Sequence, residues 1–496
     1  HIEVGDNFEK RQMRDIYKAY QDACDLSGLV DFAELLLRAH ELWVNNPQIL
    51  AHYQQRFKAI LVDEFQDTNN IQYAWLRLLC NDENNMMIVG DDDQSIYGWR
   101  GANVENIHHF LRDFPGSKTV RLEQNYRSSG NILNAANAVI DNNSSRLGKE
   151  LWTDAGNGET IKLYAGFNEV DEARFVVSQI EKWIEQGGSP NDNAILYRNN
   201  AQSRVLEESL LNAKLPYRIY GGLRFFERQE IKDTLAYMRL VNLPNDDAAF
   251  ERVVNVPARS LGEKSVAQIR EAARAMGQSM WQASLLLLQE QRMTNRAAKA
   301  LQSFVDLISD LEQEVAEQPL DIQAKTIMNN SGLMAMYQAE KGEKSQTRVE
   351  NLQELITACK QFVQTEEDED MTPMGAFLAQ VSLDSGENQA DAHESAVQLM
   401  TIHSAKGLEF PQVFLTGVEE GMFPSMQSAE ETNRLEEERR LCYVGMTRAM
   451  QKLHITYAES RRLYGQEKYH TPSRFIREMP SECIEEVRYV QLFPVR

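Results

Sequence analysis

No stretch of the 496 residues approaches the roughly 18 uninterrupted apolar positions of a membrane-crossing helix; the apolar runs are only a few residues long. The opening, His1 to Arg14, has no apolar segment after its basic residues and so lacks the layout of a secretory signal. A cytoplasmic location is the expectation. Cysteine is scarce. The five thiols, Cys24, Cys80, Cys359, Cys442 and Cys483, form no CxxC pair and no Cys/His group at zinc spacing. That excludes a disulfide framework and a structural zinc, and leaves buried reduced thiols as the expectation. Short-period repeats and long low-complexity segments are absent as well. Positive charge is in short supply: 52 Lys and Arg stand against 74 Asp and Glu, a net charge of -22. Taken alone, this speaks against a nucleic-acid partner, since neutralising phosphates favours basic surfaces. Much of the excess is bunched in Glu366-Glu367-Asp368-Glu369-Asp370 and Glu436-Glu437-Glu438, so an acidic exterior can coexist with a narrow basic or aromatic groove.

What is present is core material. Hydrophobic residues are 42% and charged residues 25%, the usage of a folded globular chain, and the length is too great for one core, so about two to four domains are expected. Residues 1 to about 57 read as helices, with Phe32, Leu35, Leu36, Leu37 and His40 to Trp43 at three-and-four spacing. Ala59-Ile60-Leu61-Val62 is then a short apolar run ending in acids, the pattern of a buried parallel strand with its carboxyl end at a site. Met86 to Gly90 repeats that grammar, and the helical stretch Ile71 to Leu79 between them makes a βαβ unit. A second α/β region begins near Leu122, with strands expected at Ile161 to Tyr164 and Ala194 to Tyr197. From about Gly222 to His393 the pattern is almost wholly helical, and strands return at Val397 to Ile402, Val413 to Leu415 and Leu453 to Thr456.

Two local signals carry chemistry. In Ile60-Leu61-Val62-Asp63-Glu64-Phe65-Gln66-Asp67 an apolar strand delivers two adjacent carboxylates to a sheet edge. Nucleotide hydrolysis needs one carboxylate on Mg²⁺ and a second to orient and deprotonate water, roles that suit Asp63 and Glu64 respectively. One strand later, Gly90-Asp91-Asp92-Asp93-Gln94-Ser95-Ile96-Tyr97-Gly98-Trp99-Arg100-Gly101 sets a polar switch beside aromatics. Gln94 is placed to sense the terminal phosphate, while Tyr97, Trp99 and Arg100 offer stacking and a cation to unpaired bases. Without these neighbours, an Asp-Glu pair would be an exposed turn and Trp99 a core residue.

With Gln124-Asn125-Tyr126-Arg127-Ser128, these sets resemble motifs II, III and IV of superfamily 1 helicases, in the family's order. Thr401-Ile402-His403-Ser404-Ala405-Lys406-Gly407-Leu408-Glu409-Phe410 and Glu438 to Ala449 resemble motifs V and VI. The likeness covers essentially the whole chain and is nearest to the UvrD branch of the UvrD/Rep/PcrA helicases. It implies an α/β fold of two RecA-like P-loop NTPase-type cores with parallel sheets, each carrying a mostly helical insertion. Residues 1–57 would be the remainder of the first insertion, 58–122 the first core, 123–221 and 394–496 the two parts of the second core, and 222–393 its insertion. The implied activity is ATP-dependent 3′ to 5′ unwinding and translocation on single-stranded DNA in excision and mismatch repair and in replication, with ATP and Mg²⁺ as cofactors. Tyr126 would stack on adenine, Arg127 and Arg448 would reach the γ-phosphate, and Glu409 would touch the sugar; arginine suits charge developing on a transferring phosphoryl group. Arg198, Asn200, Thr401 and His403 would contact single-stranded DNA. The implied partners are single-stranded DNA, single/double-strand junctions and repair proteins, with no membrane, for a monomer or weak dimer. In the helical insertion Ser260-Leu261-Gly262 stands where relatives have a Gly-Ile-Gly turn, which weakens the expectation of duplex contact there.

The phosphate-binding loop GxxxxGK[ST] is missing. The only Gly-Lys pair, Gly148-Lys149, is followed by Glu150 and has Asn143 where the first glycine belongs. In the family this loop precedes the carboxylate strand, so a chain incomplete at its amino end is expected, and loss of the ATPase is the less economical account because Glu64, Gln94, Arg127 and Arg448 all remain. The alternative function is an ATPase-inactive module that binds DNA or a repair partner.

Overall fold

The computed structural model describes residues 8–81, 85–144, 146–220, 222–340, 343–364, 370–386, 395–463 and 466–487. The acidic run at 366–369, read above as part of the charged exterior, lies outside them. By its contacts the chain falls into two compact units, His1–Leu122 with Ser145–Lys149, and Glu123–Ser144 with Glu150–Arg496.

The first unit opens with helices α1 (Phe8–Ser27), α2 (Phe32–Asn45) and α3 (Pro47–Arg56). Asp31 caps α2 by accepting from the Glu34 amide at 2.8 Å, and Pro47 starts α3 where a missing N–H costs nothing. Strands β1 (Ala59–Val62) and β2 (Asn85–Ile88) pair in parallel across α4 (Asn70–Leu79), whose start is fixed by the reciprocal Asn69–Gln72 capping box. Helix α5 (Glu105–Asp113) follows. Ile60, Val62, Met86 and Ile88 pack with Phe65, Tyr73, Leu76, Ile107 and Phe110, so α4 and α5 cover one face of the strand pair. The expectation of a fully buried β1 is corrected: Leu61 is 75% and Met87 57% exposed, because among the described residues nothing covers the other face.

The second unit is built on a seven-stranded, all-parallel sheet among the described residues, in the order β11-β3-β8-β7-β4-β6-β5. In chain order it runs through α6 (Gly130–Ile140), β3 (Ile161–Gly166), α7 (Glu169–Glu185), β4 (Asn193–Tyr197), α8 (Ser203–Asn212) and β5 (Tyr217–Ile219). After a run of helices, α9 to α17, between Gln229 and Gly386, the sheet resumes with β6 (Val397–Thr401) and β7 (Phe410–Leu415). Helices α18 (Met426–Glu430) and α19 (Thr432–Met446) precede β8 (Ala449–Ala458), the hairpin β9 (Ser460–Leu463) and β10 (Gln466–Tyr469), α20 (Arg474–Arg477) and β11 (Ile484–Val487). The inserted helices leave after β5 and return into β6, its sheet neighbour, so a domain-sized excursion costs the sheet no break in register. They bury their own apolar core, including Leu301, Phe304, Ile308 and Leu355. Their seam with the sheet is polar: buried Arg204 of α8 donates at 2.6 Å to both Glu354 and Gln361, and Arg228 donates to Asn351 and Ser203 at 2.9 and 2.8 Å.

Two further readings are corrected. The run Glu436–Glu438 is not solvated exterior: Glu436 accepts from the Ser144 amide and hydroxyl at 2.9 and 2.7 Å, and Glu438 is buried against Arg198. Acids on α19 survive burial because each meets donors. All five cysteines are free, but only Cys359, Cys442 and Cys483 are buried. No helix among the described residues is long and apolar enough to cross a membrane.

Candidate functional site

In the first unit the chemistry gathers at the carboxyl ends of β1 and β2. Asp63 and Glu64 emerge exposed from β1, and Glu64 sits in the left-handed region at φ 50°, a conformation uncommon for a side chain of this kind. Asp63 accepts from the Glu64 amide at 2.9 Å. Beneath them Gln66, buried in a short 3-10 turn, donates from Nε2 to Glu64 Oε2 at 2.6 Å and accepts at Oε1 from the Asp91 amide at 2.9 Å. Asp91 in turn accepts at Oδ2 from Gln94 Nε2 at 2.7 Å. A continuous hydrogen-bonded array thus joins Glu64, Gln66, Asp91 and Gln94. Sequence reasoning quoted Gln66 without giving it a role. A signal was available: an uncharged amide sits two residues after the paired carboxylates in a segment destined for burial.

Fit to a divalent cation can be judged from donor chemistry. Asp63 and Glu64 present exposed, hard carboxylate oxygens at a strand end, the type that Mg²⁺ takes together with phosphate oxygens and water. The acidic trio Asp91–Asp93 does not offer the same opening, since Lys149 pairs with Asp91 and Arg146 donates to both oxygens of Asp93 at 2.8 and 2.9 Å. Burial, and then the neighbouring Asp93, raise the Asp92 carboxyl above the usual range. Just beyond, Arg100 lies over the rings of Trp99 and Tyr97 at 4.5 and 5.1 Å, with Trp99 45% exposed, which leaves a flat aromatic and a cation at the surface.

In the second unit the candidate residues divide between the two ends of one sheet. Asn125 Oδ1 accepts from the amides of Arg127 and Ser128, both at 2.8 Å, and this turn turns Tyr126 outward to 85% exposure. Ser128 donates to the Ala449 carbonyl at 2.6 Å, which ties the turn to the start of β8. There Arg127 Nε meets Glu409 Oε2 at 2.6 Å. Arg448, 2% exposed, donates to the carbonyls of Val444 and Leu408 at 3.1 and 3.2 Å. Tyr126, Arg127, Glu409 and Arg448 therefore stand at the amino ends of β7 and β8. Thr401 ends β6, where it pairs with Tyr197, and Arg198, Asn200 and His403 follow the carboxyl ends of β4 and β6. Strands of this length put roughly 15–20 Å between the two groups. Arg198 Nε and Nη2 are held by Glu438 at 3.1 and 2.8 Å, and Thr401 Oγ1 lies 3.0 Å from Ser404 Oγ. The fold thus keeps Tyr126, Arg127, Glu409 and Arg448 at one end of the sheet and Arg198, Asn200, Thr401 and His403 at the other.

Residues 120–460 match the UvrD-like helicase C-terminal domain, and residues 3–115 the UvrD/REP helicase N-terminal domain. DNA helicase II of Escherichia coli is 64% identical over 488 residues, covering 98% of this chain and 68% of that relative. DNA helicase II of Haemophilus influenzae is 57% identical, covering 97% of this chain and 67% of its own length. An ATP-dependent DNA helicase PcrA of Leuconostoc citreum is 44% identical, at 98% and 65% coverage.

Proposed function

The chain belongs to the UvrD/REP helicase family, and from that premise we propose that it is an ATP-dependent DNA helicase that translocates 3′ to 5′ on single-stranded DNA in repair and replication. The observation that carries the reading is the array from Glu64 through Gln66 and Asp91 to Gln94, with Tyr97, Trp99 and Arg100 directly after it in the chain. It links a candidate proton acceptor to a candidate phosphate sensor, and the candidates for base stacking follow within six residues of that sensor in the chain.

Asp63, with Glu64 beside it, would hold Mg²⁺, which would draw charge from the terminal phosphoryl group. Glu64 takes the proton of the attacking water, and Gln66 fixes the carboxylate that does so. Tyr126 stacks on adenine, Glu409 meets the sugar, and Arg127 and Arg448 answer the charge on the γ-phosphate after exchanging their present acceptors, Glu409 and the backbone carbonyls. Tyr97, Trp99 and Arg100 stack on unpaired bases, while Arg198, Asn200, Thr401 and His403 hold the strand. Junctions of single and double strands, and proteins of excision and mismatch repair, are the proposed partners of a monomer or weak dimer.

A second reading has its own observation: no GxxxxGK[ST] occurs in these 496 residues. On that reading the chain by itself grips DNA without turnover. ATP hydrolysis with and without single-stranded DNA separates the two, measured for this chain, for the chain joined to a phosphate-loop segment, and for the joined chain with Glu64→Gln. Hydrolysis only in the joined chain, abolished by Glu64→Gln, is the expected result. A joined chain that binds DNA but never turns over ATP rejects the motor in favour of the binding module.

A further inference from the structure

The one Gly-Lys pair of the sequence, unfit for a phosphate loop, has another use. The chain leaves the first unit after Leu122, and Ser145–Lys149 rejoins it before Glu150 resumes the second. Residues 146–149 of this return segment meet three consecutive carboxylates one by one. Lys149 Nζ pairs with Asp91 Oδ1, the Leu147 amide donates to Asp92 Oδ2 at 2.7 Å, and Arg146 donates to both oxygens of Asp93 at 2.8 and 2.9 Å. Arg146 Nη2 also donates to the Lys149 carbonyl at 2.9 Å, which stiffens the strap, and Leu147 packs on the core of the unit. Asp92 and Asp93 are buried, and ligand atoms of the three acids lie within 4.8 Å of one another. Like charges so close in a low-dielectric setting repel, so the trio holds this shape only with cations supplied, and the strap supplies two.

Asp91 is where this packing meets the chemistry. Its Oδ1 takes Lys149 and the Asp93 amide, its Oδ2 takes Gln94 Nε2, and its own amide donates to Gln66. The orientation of one carboxylate therefore bears on where the Gln94 amide points. Without Lys149 that carboxylate loses its cation and keeps only the Asp93 amide at Oδ1, so its rotation is less constrained and Gln94 meets a less fixed acceptor. We propose that Lys149 is a positioning residue for Gln94, acting through Asp91, with Arg146 on Asp93 holding the strap in place. The inference rests on the reading of Gln94 as the phosphate sensor. A residue 55 positions beyond Gln94 in the chain, outside every helicase-like motif quoted above, thereby acts on hydrolysis.

The test compares Lys149→Met, Lys149→Arg and a control on a remote exposed ion pair, Lys162→Met. On the 496-residue chain, amide hydrogen exchange is read at Asp93, Gln94 and Ser95, whose amides bond to Asp91 Oδ1, Asp91 O and Asp92 O. Lys149→Met is expected to speed their exchange about tenfold, the factor matching one lost charge-assisted hydrogen bond, with Lys149→Arg close to wild type and Lys162→Met unchanged. In the chain joined to a phosphate loop, Lys149→Met is expected to lower the DNA-stimulated kcat about tenfold while KM for ATP moves less than about twofold, with Lys149→Arg restoring most of it. Should Lys149→Met not fold, Lys149→Gln is read in the same way. Unchanged exchange at residues 93–95 overturns the positioning role whatever hydrolysis does, and so does a loss seen only in KM. A joined chain that never hydrolyses ATP, substituted or not, overturns the function beneath it, and the exchange data tell the two failures apart.

Discussion

Gly90→Ala is a sharp probe of the array, because the added methyl would enter occupied space. A Cβ built at Gly90 lies 2.5 Å from Gln66 Oε1 and 3.3 Å from the Phe65 nitrogen. The side-chain amide must yield, since the backbone beside it is fixed by the Phe65 N–H bond to the Val89 carbonyl at 3.0 Å. Gln66 then loses its bonds to the Asp91 amide and to Glu64. Glu64 is exposed and recovers water, whereas Gln66 is 1% exposed and does not. The local cost is therefore about 2 kcal/mol, mostly the unsatisfied buried amide. The assay is a double-mutant cycle with Gln66→Ala, read by urea unfolding of the first unit and by amide exchange over residues 59–95. In the Gln66→Ala background, Gly90→Ala should cost much less, within about 1 kcal/mol, because the 2.5 Å contact is gone and only the tight backbone contact with the Phe65 nitrogen at 3.3 Å remains. Equal costs in both backgrounds would refute the claim that Gly90 acts through Gln66. DNA-stimulated hydrolysis in the joined chain should fall with Gly90→Ala alone and fall no further in the double variant.

Three other outcomes are expected. Arg461, buried between Glu172 and Glu419, donates from Nε to both Glu419 oxygens at 2.8 and 2.9 Å; Arg461→Met strands two buried carboxylates and should cost about 3–5 kcal/mol by denaturant melts, with Glu172→Gln/Glu419→Gln added to it recovering part of the loss. Burial pushes the His454 imidazole from 6.5 down to about 3, stacked 4.6 Å from Phe414, so the unfolded state binds the extra proton between those values. Stability is then complete above pH 6.5 and falls as pH drops toward 3, by up to about 1.4 kcal/mol per pH unit, and His454→Phe should flatten that slope in melts across the range. Ser260 is held at φ 64°, where glycine is unstrained, and Ser260→Gly should stabilise the helical insertion by roughly 0.5–1 kcal/mol; a loss on melting would contradict it.

Periodicity located the elements that have long or strongly apolar patterns: the opening helices, β1, α4, β2, the central strands of the large sheet and the helical run after Gln229. It passed over β5, the β9–β10 hairpin and β11, which are three or four residues long. β11, Ile484-Glu485-Glu486-Val487, is an acidic edge strand in which only β3 fixes the register, and no local pattern announces such pairing. Burial of the strand faces was misjudged at Leu61 because an apolar run reports affinity for a core, whereas cover depends on which helices fold back over it.

By itself the sequence determined the chemistry on offer: paired carboxylates at a strand end, a glutamine beside aromatics, arginines in helicase-like contexts and the missing phosphate loop. Those are covalent facts of order and spacing, so no folding is needed to read them. Only the tertiary structure decided which side chains act together. Lys149 is 58 residues from Asp91, Glu438 is 240 from Arg198, and Glu409 is 282 from Arg127. Ion pairs of this kind depend on contact within a few ångströms and on exclusion of water, and sequence separation enters neither. The same limit explains why Glu436 and Glu438 read as surface charge but lie inside: a carboxylate is buried only where the fold delivers its donors.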